Sequence, residues 1–217
     1  IVFRQEWDEL KSMGVTPIVY VHPTCRVTTP YDMIANQIVE HARGNAKHGS
    51  CGLGIYETIK RYEIRDMISL GKLIHNKDLA TLMMSDAKDY MRERLAGESI
   101  EVIDKWQNII ESDGIVAHYM DDLEFMISHV RLSYLYQLYY YDCVIFEGGQ
   151  GLLLDCDNKE YYPHLTPSHT GIKNPFDIIS SYGAFTDIEV CYVTRTYLTR
   201  HGAGQIDGEC PKELINP

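Results

Sequence analysis

A glutamine between glycines is the most specific chemical feature of the sequence. The segment Glu147–Gly151 follows the short apolar run Cys143–Phe146, a pattern that predicts a strand ending in a glycine-rich turn. Glycine lets the main chain approach a ligand closely and present its N–H groups. The amide of Gln150 offers a donor and an acceptor, which suits recognition of a purine edge or an oxo group. A purely structural turn is the alternative that these residues leave open.

A second polar segment, Tyr161–Thr170, carries hydroxyl groups at alternating positions. Thr166, Ser168 and Thr170 could turn their hydroxyls toward one phosphate group. The alternative is a solvated loop whose hydroxyls bond to its own main chain.

The glycine-rich segment Gly49–Gly54 could also cradle a phosphate, and it raises a nucleophile hypothesis. Cys51 would act with His41 or His48 in a cysteine hydrolase. The nucleophile-elbow pattern needs glycine two residues to each side, and Leu53 breaks it. The sequence therefore disfavours a hydrolase.

The sequence contains few residues at the spacing that metal ligands need. His22 with Cys25, and Cys156 between Asp155 and Asp157, are suggestive only in isolation. Because no second pair lies at ligand spacing, packing or surface roles are favoured. The six cysteines are widely spread without a Cys-x-x-Cys pair, which indicates free thiols.

Helical and strand patterns alternate along the sequence and predict the elements that position these loops. Helices are predicted over 1–14 and from Pro30, and a mainly helical insertion over about 62–135, in which one helix ends near Gly97 and Ser99 is the N-cap of the next. Strands are predicted over 17–21, 143–146 and 190–198. This order indicates an α/β fold with a largely parallel central sheet and flanking helices, in which ligands gather at the carboxyl ends of strands.

Composition excludes several functional classes. The protein has 217 residues, of which 45% are hydrophobic and 24% charged, so it can offset the entropy of folding. No apolar window reaches the roughly 20 residues that a membrane helix needs. A net charge of −11 argues against a nucleic-acid binder. The first residues lack a signal-peptide pattern, so we expect a cytoplasmic location.

Four segments occur in an order that resembles the adenylosuccinate synthetase family. They are Gly49–Glu57, Phe146–Asp155, Tyr162-Pro163 with Thr166, and Tyr197–Gly204. The resemblance covers almost the whole sequence. It implies a P-loop-NTPase-related fold and a ligase of purine biosynthesis that joins IMP and L-aspartate through a 6-phosphoryl intermediate. It also implies GTP and Mg²⁺ for the complete enzyme and a homodimer.

The resemblance assigns substrate-binding roles to individual residues. Gln150 would contact the 6-oxo or 6-phosphoryl region of the purine, and Thr166 would bind the 5′-phosphate. Ser50 and Cys51 replace the family's Thr-Thr pair, whose second Thr also binds that phosphate. Two residues in the later glycine segment, His201 and Gly202, would pass close to the nucleotide.

One arginine is expected to reach the nucleotide of the partner subunit. The shortened first loop leaves two positions for it, Arg61 as the first choice and Arg65 as the alternative. Three departures from the family pattern, Cys51, Leu53 and His201, indicate an altered substrate pocket. A 2-aminoadenylosuccinate synthase-like enzyme that uses dGMP therefore stays open, as do ATP in place of GTP and a catalytically inactive nucleotide-binding or dimerisation module.

Absent motifs set a further expectation. The family's Gly-Asp-Glu-Gly-Lys-Gly loop, its catalytic Asp and His, and its carboxy-terminal aspartate and guanine sites do not occur in this sequence. We expect residues 1–217 to be a single α/β domain segment of a longer enzyme. It would contain a helical subdomain over 62–135 and the purine-nucleotide half-site over 143–204. Alone it would be inactive, with no catalytic residue and no metal ligand.

Overall fold

The computed structural model describes residues 2–65, 68–182 and 187–194, together with the single residues 196, 199 and 204. The protein divides into two compact units. The first comprises Ile1–Ala42 and Gly52–Gln137, and the second Arg43–Cys51 and Leu138–Pro217. The predicted helical subdomain falls in the first unit, and the predicted half-site segment falls in the second.

Helices dominate the described part of the first unit, with two short strands near its ends. In sequence order the elements are α1 (Val2–Ser12), β1 (Val19–Val21), α2 (Pro30–Ala42), α3 (Ile55–Ile64), α4 (Leu70–His75), α5 (Leu79–Gly97), α6 (Asp104–Ile110), α7 (Asp113–His129) and β2 (Val130–Leu132). A 3₁₀ segment, Leu135–Tyr140, follows β2.

Helical periodicity identified the helices that build the core. The predictions for α1, α2 and the end of α5 at Gly97 are confirmed. Seven of the thirteen residues of α2 are buried, and α2 packs on α5. A cluster of apolar residues from these two helices and α6 forms one part of the core: Tyr31, Ile34, Ala35, Ile38, Val39, Met84, Ala87, Met91, Leu95 and Ile110.

Ser99 ends a helix instead of starting one, so its predicted N-cap role is wrong. Its φ of 54° lies in the left-handed region. The N–H of Ser99 donates to the carbonyl of Ala96, and the N–H of Ile100 donates to that of Leu95. These two bonds form a Schellman motif that closes α5. The next helix begins later, at Asp104.

A two-stranded parallel sheet lies in the first unit. Val19 pairs with Val130 and Val21 with Leu132. The strand predicted over 17–21 is therefore confirmed as β1, whereas β2 lies in the block predicted to be helical. Helices around a parallel pair of strands confirm the mixed α/β class. The larger central sheet and the P-loop relation stay predictions.

The strand predicted over Cys143–Phe146 is wrong. These residues form no strand and pair with none in the part of the protein that the structure describes, and Ile145 is 86% exposed. An apolar run alone is insufficient, because a buried strand also needs neighbours that take up its hydrogen bonds. Of the strand predicted over 190–198, residues 190–194 are not a strand, and 195, 197 and 198 lie outside the described residues.

In its described residues the second unit is mainly irregular. Its regular elements there are the end of the 3₁₀ segment Leu135–Tyr140, the short 3₁₀ helices Gly44–Ala46, Leu152–Leu154 and Lys159–Tyr161, and α8 (Lys173–Tyr182). The five cysteines within the described ranges are free thiols: Cys25, Cys51, Cys143, Cys156 and Cys191. Across those same ranges, every helix is too short or too polar to cross a bilayer.

Candidate functional site

Two stretches of the second unit run side by side and hold Thr166. The N–H of Thr166 donates to the carbonyl of Leu154 at 2.8 Å. The N–H of Cys156 donates to the carbonyl of Ser168 at 3.2 Å. Each stretch thus gives one main-chain bond to the other. The 3₁₀ turn Leu152–Leu154, which follows the glycine-rich segment, is thereby tied to the hydroxyl-rich segment.

The hydroxyl groups of Thr166 and Ser168 lie together. Their oxygen atoms are 3.3 Å apart, and Thr166 is partly buried while Ser168 is exposed. The structure thus brings together two of the three hydroxyls that the sequence singled out. The third residue, Thr170, is used differently, because its N–H donates to Asp155 Oδ2 at 2.7 Å.

The first glycine-rich loop is anchored beside the hydroxyl-rich segment. The ring of His164 lies 2.9 Å, through Nδ1, from the main-chain oxygen of His48, and with Nδ1 protonated it donates to that oxygen. The two imidazole rings are 6.4 Å apart between centroids and nearly perpendicular. Ser50 and Cys51 follow His48 closely in the sequence and are both exposed.

Four of the seven predicted binding residues are described residues of the second unit: Ser50, Cys51, Gln150 and Thr166. Gln150 is exposed at its turn. His201 and Gly202 lie outside the described residues, so their predicted roles stay predictions.

Arg61 lies in the first unit and is completely buried. Its Nη2 donates to Asp32 Oδ2 at 2.7 Å and to the carbonyl of Val27 at 2.9 Å. Arg65, the alternative, retains 20% exposure of its side chain and pairs with Asp86 and Glu93. Of the two arginines, only Arg65 has a side chain that is partly exposed to solvent.

Three potential metal ligands surround the imidazole of His169, itself the fourth of the group. Asp155, Cys156 and Asp157 each place one side-chain atom 3.4 Å from His169 Nδ1. The sequence drew attention to the three consecutive residues but missed His169, because only the paired stretches bring it near them. The sequence favoured packing or surface roles for Asp155, Cys156 and Asp157, and it did not predict that their side chains converge on His169.

Main-chain donors define the charge state of Asp155. The N–H groups of Asp157 and then Thr170 lower the pKa of the Asp155 carboxyl to about 2, so it is ionised at neutral pH. Partial removal from water, followed by the charges of Asp157 and Asp155, raises the pKa of the Cys156 thiol. Cys156 is therefore a protonated thiol without a ligand, which argues against a role as an activated nucleophile.

Comparison with known proteins decides the family. A family model described as adenylosuccinate synthetase matches residues 1–216. The chain belongs to the adenylosuccinate synthetase family. The resemblance carried by the four sequence segments is thereby confirmed.

Several curated proteins named adenylosuccinate synthetase are similar to this chain. The protein of Microcystis aeruginosa is 28% identical over 222 residues, which cover 98% of this chain and 46% of the relative. That of Alkaliphilus metalliredigens is 28% identical over 216 residues, 98% of this chain and 48% of the relative. The protein of Synechocystis sp. is 28% identical over 228 residues, which cover 99% of this chain and 48% of the relative. The chain spans about half the length of these relatives.

Membership of the adenylosuccinate synthetase family implies Mg²⁺, but the group Asp155, Cys156, Asp157 and His169 does not fit that ion. Mg²⁺ prefers six oxygen ligands in octahedral geometry. Within the described ranges, the side chains of Asp155, Cys156, Asp157 and His169 bring their potential ligand atoms together. This group contains a thiol and an imidazole. Its chemistry suits a softer cation.

Proposed function

We propose that this chain supplies the purine-nucleotide half-site of an enzyme that joins IMP and L-aspartate with GTP, forming adenylosuccinate. The observation that carries the proposal is the match of the adenylosuccinate synthetase family model to residues 1–216. The names of the similar curated proteins support the same reaction class. A homodimer and a cytoplasmic location belong to this proposal.

The proposed chemistry turns a poor leaving group into a good one. The γ-phosphoryl group of GTP is transferred to the purine 6-oxygen, the bond between the β- and γ-phosphates breaks so that GDP leaves, and the purine N1 loses its proton. The aspartate amine then forms a bond to C6, the bond between C6 and the oxygen breaks, and inorganic phosphate leaves while the amine loses a proton. Such chemistry depends on positioning and charge stabilisation more than on covalent participation by the protein.

Residues of the second unit would position the nucleotide. Gln150 is proposed to hold the 6-oxo or 6-phosphoryl group, and its exposure leaves the amide accessible. Thr166, with the hydroxyl of Ser168 at 3.3 Å, is proposed to bind the 5′-phosphate. Ser50 and Cys51 would contribute from the loop that His164 anchors. Two hydroxyls at one place provide neutral donors suited to a phosphate oxygen.

His201 and Gly202 complete the proposed nucleotide contacts from the later glycine segment. For the contact with the partner subunit's nucleotide, we now favour Arg65 over Arg61. Releasing Arg61 would strand the buried Asp32, at a cost of about 3 to 5 kcal/mol. Arg65 can exchange its partly exposed ion pairs for a phosphate at much lower cost.

The half-site is tested by calorimetric titration of the protein with IMP and, separately, with dGMP. We expect IMP to bind, and Gln150→Ala and Thr166→Val to weaken binding by about tenfold or more, equivalent to at least about 1.4 kcal/mol. Gln5→Ala and Thr81→Val are matched controls, because both residues are exposed on helices of the first unit. Preference for dGMP would reassign the substrate. A folded protein that binds neither nucleotide would refute the half-site.

Residues 1–217 alone are proposed not to complete the ligation. A Gly-x-x-x-x-Gly-Lys-Ser/Thr loop for a nucleoside triphosphate does not occur in their sequence. The check is chromatographic detection of adenylosuccinate after incubation with IMP, L-aspartate, GTP and Mg²⁺. Turnover that depends on GTP would overturn this part of the proposal and leave the nucleotide site intact.

A further inference from the structure

The second unit contains a group of potential metal ligands that the proposed ligase reaction does not use. We propose that Asp155, Cys156, Asp157 and His169 bind a thiolate-accepting divalent cation, for which Zn²⁺ is the representative. This inference goes beyond the proposed function and does not depend on it, since no nucleotide takes part.

The spacing of the ligand atoms carries the proposal. His169 Nδ1 lies 3.4 Å from Cys156 Sγ, from Asp155 Oδ1 and from Asp157 Oδ2. Tetrahedral zinc has bond lengths of about 2.0 to 2.3 Å, which place neighbouring ligand atoms roughly 3.3 to 3.8 Å apart. All four atoms lie within 4.8 Å of one another. The three distances to His169 already match the edges of a tetrahedron, and the other pairs need to close by about 1.5 Å at most.

The ligand chemistry points to the same class of ion. One thiol, one imidazole and two carboxylates are all established zinc ligands. A thiolate selects against Mg²⁺ and Ca²⁺, which take oxygen ligands. A single imidazole N–H cannot donate well to three acceptors at once, whereas a metal ion placed between the four atoms would contact all of them.

Main-chain bonds hold the ligands in place before any ion arrives. Asp155 Oδ1 accepts from the N–H of Asp157 at 2.9 Å, and Asp155 Oδ2 accepts from that of Thr170 at 2.7 Å. The N–H of Cys156 donates to the carbonyl of Ser168. These bonds restrict the carboxylate and align the two stretches. Such outer contacts raise metal affinity by orienting the ligands.

Binding requires a defined movement of protons. The Cys156 thiol would lose its proton to solvent when its sulfur coordinates the ion. When Nδ1 of His169 coordinates the ion, the proton of the imidazole lies on Nε2.

Lys173 competes with the ion in the metal-free protein. Its Nζ lies 3.0 Å from His169 Nε2 and 3.8 Å from Asp157 Oδ2. The Lys173 side chain is 58% exposed, so it can move into solvent when an ion binds. Removing its positive charge should therefore strengthen binding of a cation.

The site would act as a cross-link inside a unit that has little regular structure. Asp155–Asp157 and His169 lie on the two stretches joined by the main-chain bonds of Cys156 and Thr166. An ion that binds only the folded arrangement stabilises it in proportion to ligand concentration. We therefore expect Zn²⁺ to raise the melting temperature of the protein.

The test is Zn²⁺ affinity measured by competition with a chromophoric chelator, with stoichiometry from elemental analysis. We expect one ion per protein molecule. Cys156→Ser and His169→Asn should each weaken Zn²⁺ binding by at least about tenfold. Loss of a residue that only orients a ligand already weakens metal binding by about that factor, and loss of a ligand should have at least the same effect. Lys173→Gln should strengthen binding. Cys143→Ser is the matched control, because Cys143 is an exposed thiol of the same unit.

Substitution with Co²⁺ tests the ligands directly. The wild-type protein should show a thiolate-to-cobalt charge-transfer band and the intense visible bands of tetrahedral coordination, and Cys156→Ser should lose the former. Circular dichroism of each variant establishes that it is folded. The proposal is overturned if folded wild-type protein binds Zn²⁺ no more tightly than the Cys156→Ser/His169→Asn double variant. It is equally overturned if Cys143→Ser, and not Cys156→Ser, removes the charge-transfer band.

Discussion

Two hydrogen bonds join the guanidinium of Arg61 to the carboxylate of Asp32 in the interior of the first unit. Nε donates to Oδ1 at 2.8 Å, and Nη2 donates to Oδ2 at 2.7 Å. Neither side chain has any exposed surface. Asp32 Oδ2 also accepts from the N–H and the hydroxyl of Thr29, and Arg61 donates to the carbonyl of Val27. The pair therefore fixes α2, α3 and the segment before α2 to one another.

Replacing Arg61 should be strongly destabilising. In Arg61→Ala the carboxylate of Asp32 stays buried without its partner, and we expect the free energy of unfolding to fall by about 3 to 5 kcal/mol. Chemical denaturation followed by circular dichroism measures the change. Arg92→Ala is the control: Arg92 is 57% exposed and pairs at 3.5 to 3.6 Å, so about 0.5 kcal/mol or less is expected. Equal effects in the two variants would contradict the structural role of Arg61.

Gly54 should not tolerate a side chain. Its φ is 76°, and a Cβ there would lie 2.6 Å from the carbonyl carbon of Asp32 and from the backbone nitrogen of Met33. We expect Gly54→Ala to lower the free energy of unfolding by at least about 2 kcal/mol, from the left-handed backbone and the clash together.

Gly97 provides the matched comparison in thermal denaturation. It lies at the end of α5, no atom lies within 4 Å of the position that a methyl group would take there, and it is not among the positive-φ glycines. Gly97→Ala should therefore raise stability, by up to about 1 kcal/mol. A Gly54→Ala variant as stable as the parent would show that α3 does not need its close approach to α2.

Tyr90 should make the first unit sensitive to alkaline pH. Burial, and then its 2.7 Å hydrogen bond to Glu57 Oε2, raise the pKa of Tyr90 well above its ordinary value. A raised folded pKa gives stability that is complete below the unfolded pKa of about 10 and is lost as the pH rises beyond it. Unfolding free energies measured between neutral pH and the highest pH at which folding is reversible should therefore decline.

Tyr90→Phe should flatten that alkaline decline. At neutral pH the substitution should lower the free energy of unfolding by about 1.5 to 3 kcal/mol. The buried carboxylate of Glu57 loses the hydroxyl donor of Tyr90 and keeps its hydrogen bond from Arg94. Tyr140→Phe, at a residue that is 79% exposed, should change neither the slope nor the neutral value. An unchanged slope in Tyr90→Phe would mean that another group controls the alkaline decline.

Amide hydrogen exchange should rank α1 below α2 in protection. No residue of α1 is buried, whereas seven residues of α2 are. Helix α1 is attached to α7 through contacts such as Arg4 with Asp122 and the ring of Trp7 with that of His129. Protection follows the free energy of local opening, so α1 should exchange first. Equal protection factors would indicate that α1 opens only with the whole unit.

Local patterns were sufficient where a helix buries one continuous face. The spacing of Met33, Ile34, Ile38, Val39 and Ala42 predicted α2, and three of these five residues, Ile34, Ile38 and Val39, are buried in the core. Gly97 marked the end of α5. The pattern misled at Cys143–Phe146, because hydrophobicity does not specify a partner strand. It misled at Ser99 as well, because a small polar residue can either cap a helix or adopt a left-handed turn.

Long-range pairing explains what the sequence did not predict about the site. The family resemblance assigned Arg61 a contact with the partner subunit's nucleotide. Local patterns did not indicate that Arg61 is buried against Asp32, because Asp32 is 29 residues away and lies on another helix. His169 joins Cys156 across 13 residues, only after two irregular stretches have aligned. Family motifs predicted the positions of Gln150 and Thr166, but motifs carry no information on contacts that are particular to one protein.

The parallel pairing of β1 with β2 has a consequence for the order of folding. Val19 meets Val130, so almost all of the first unit lies between the two partners in sequence. Closing so large a loop costs entropy that a pair of three-residue strands cannot recover. We therefore expect the intervening helices to assemble first, and α7, which runs directly into β2, to bring Val130 to β1 afterwards. On this expectation the sheet of this unit forms late, as a result of helix packing, and is not the template on which the helices dock.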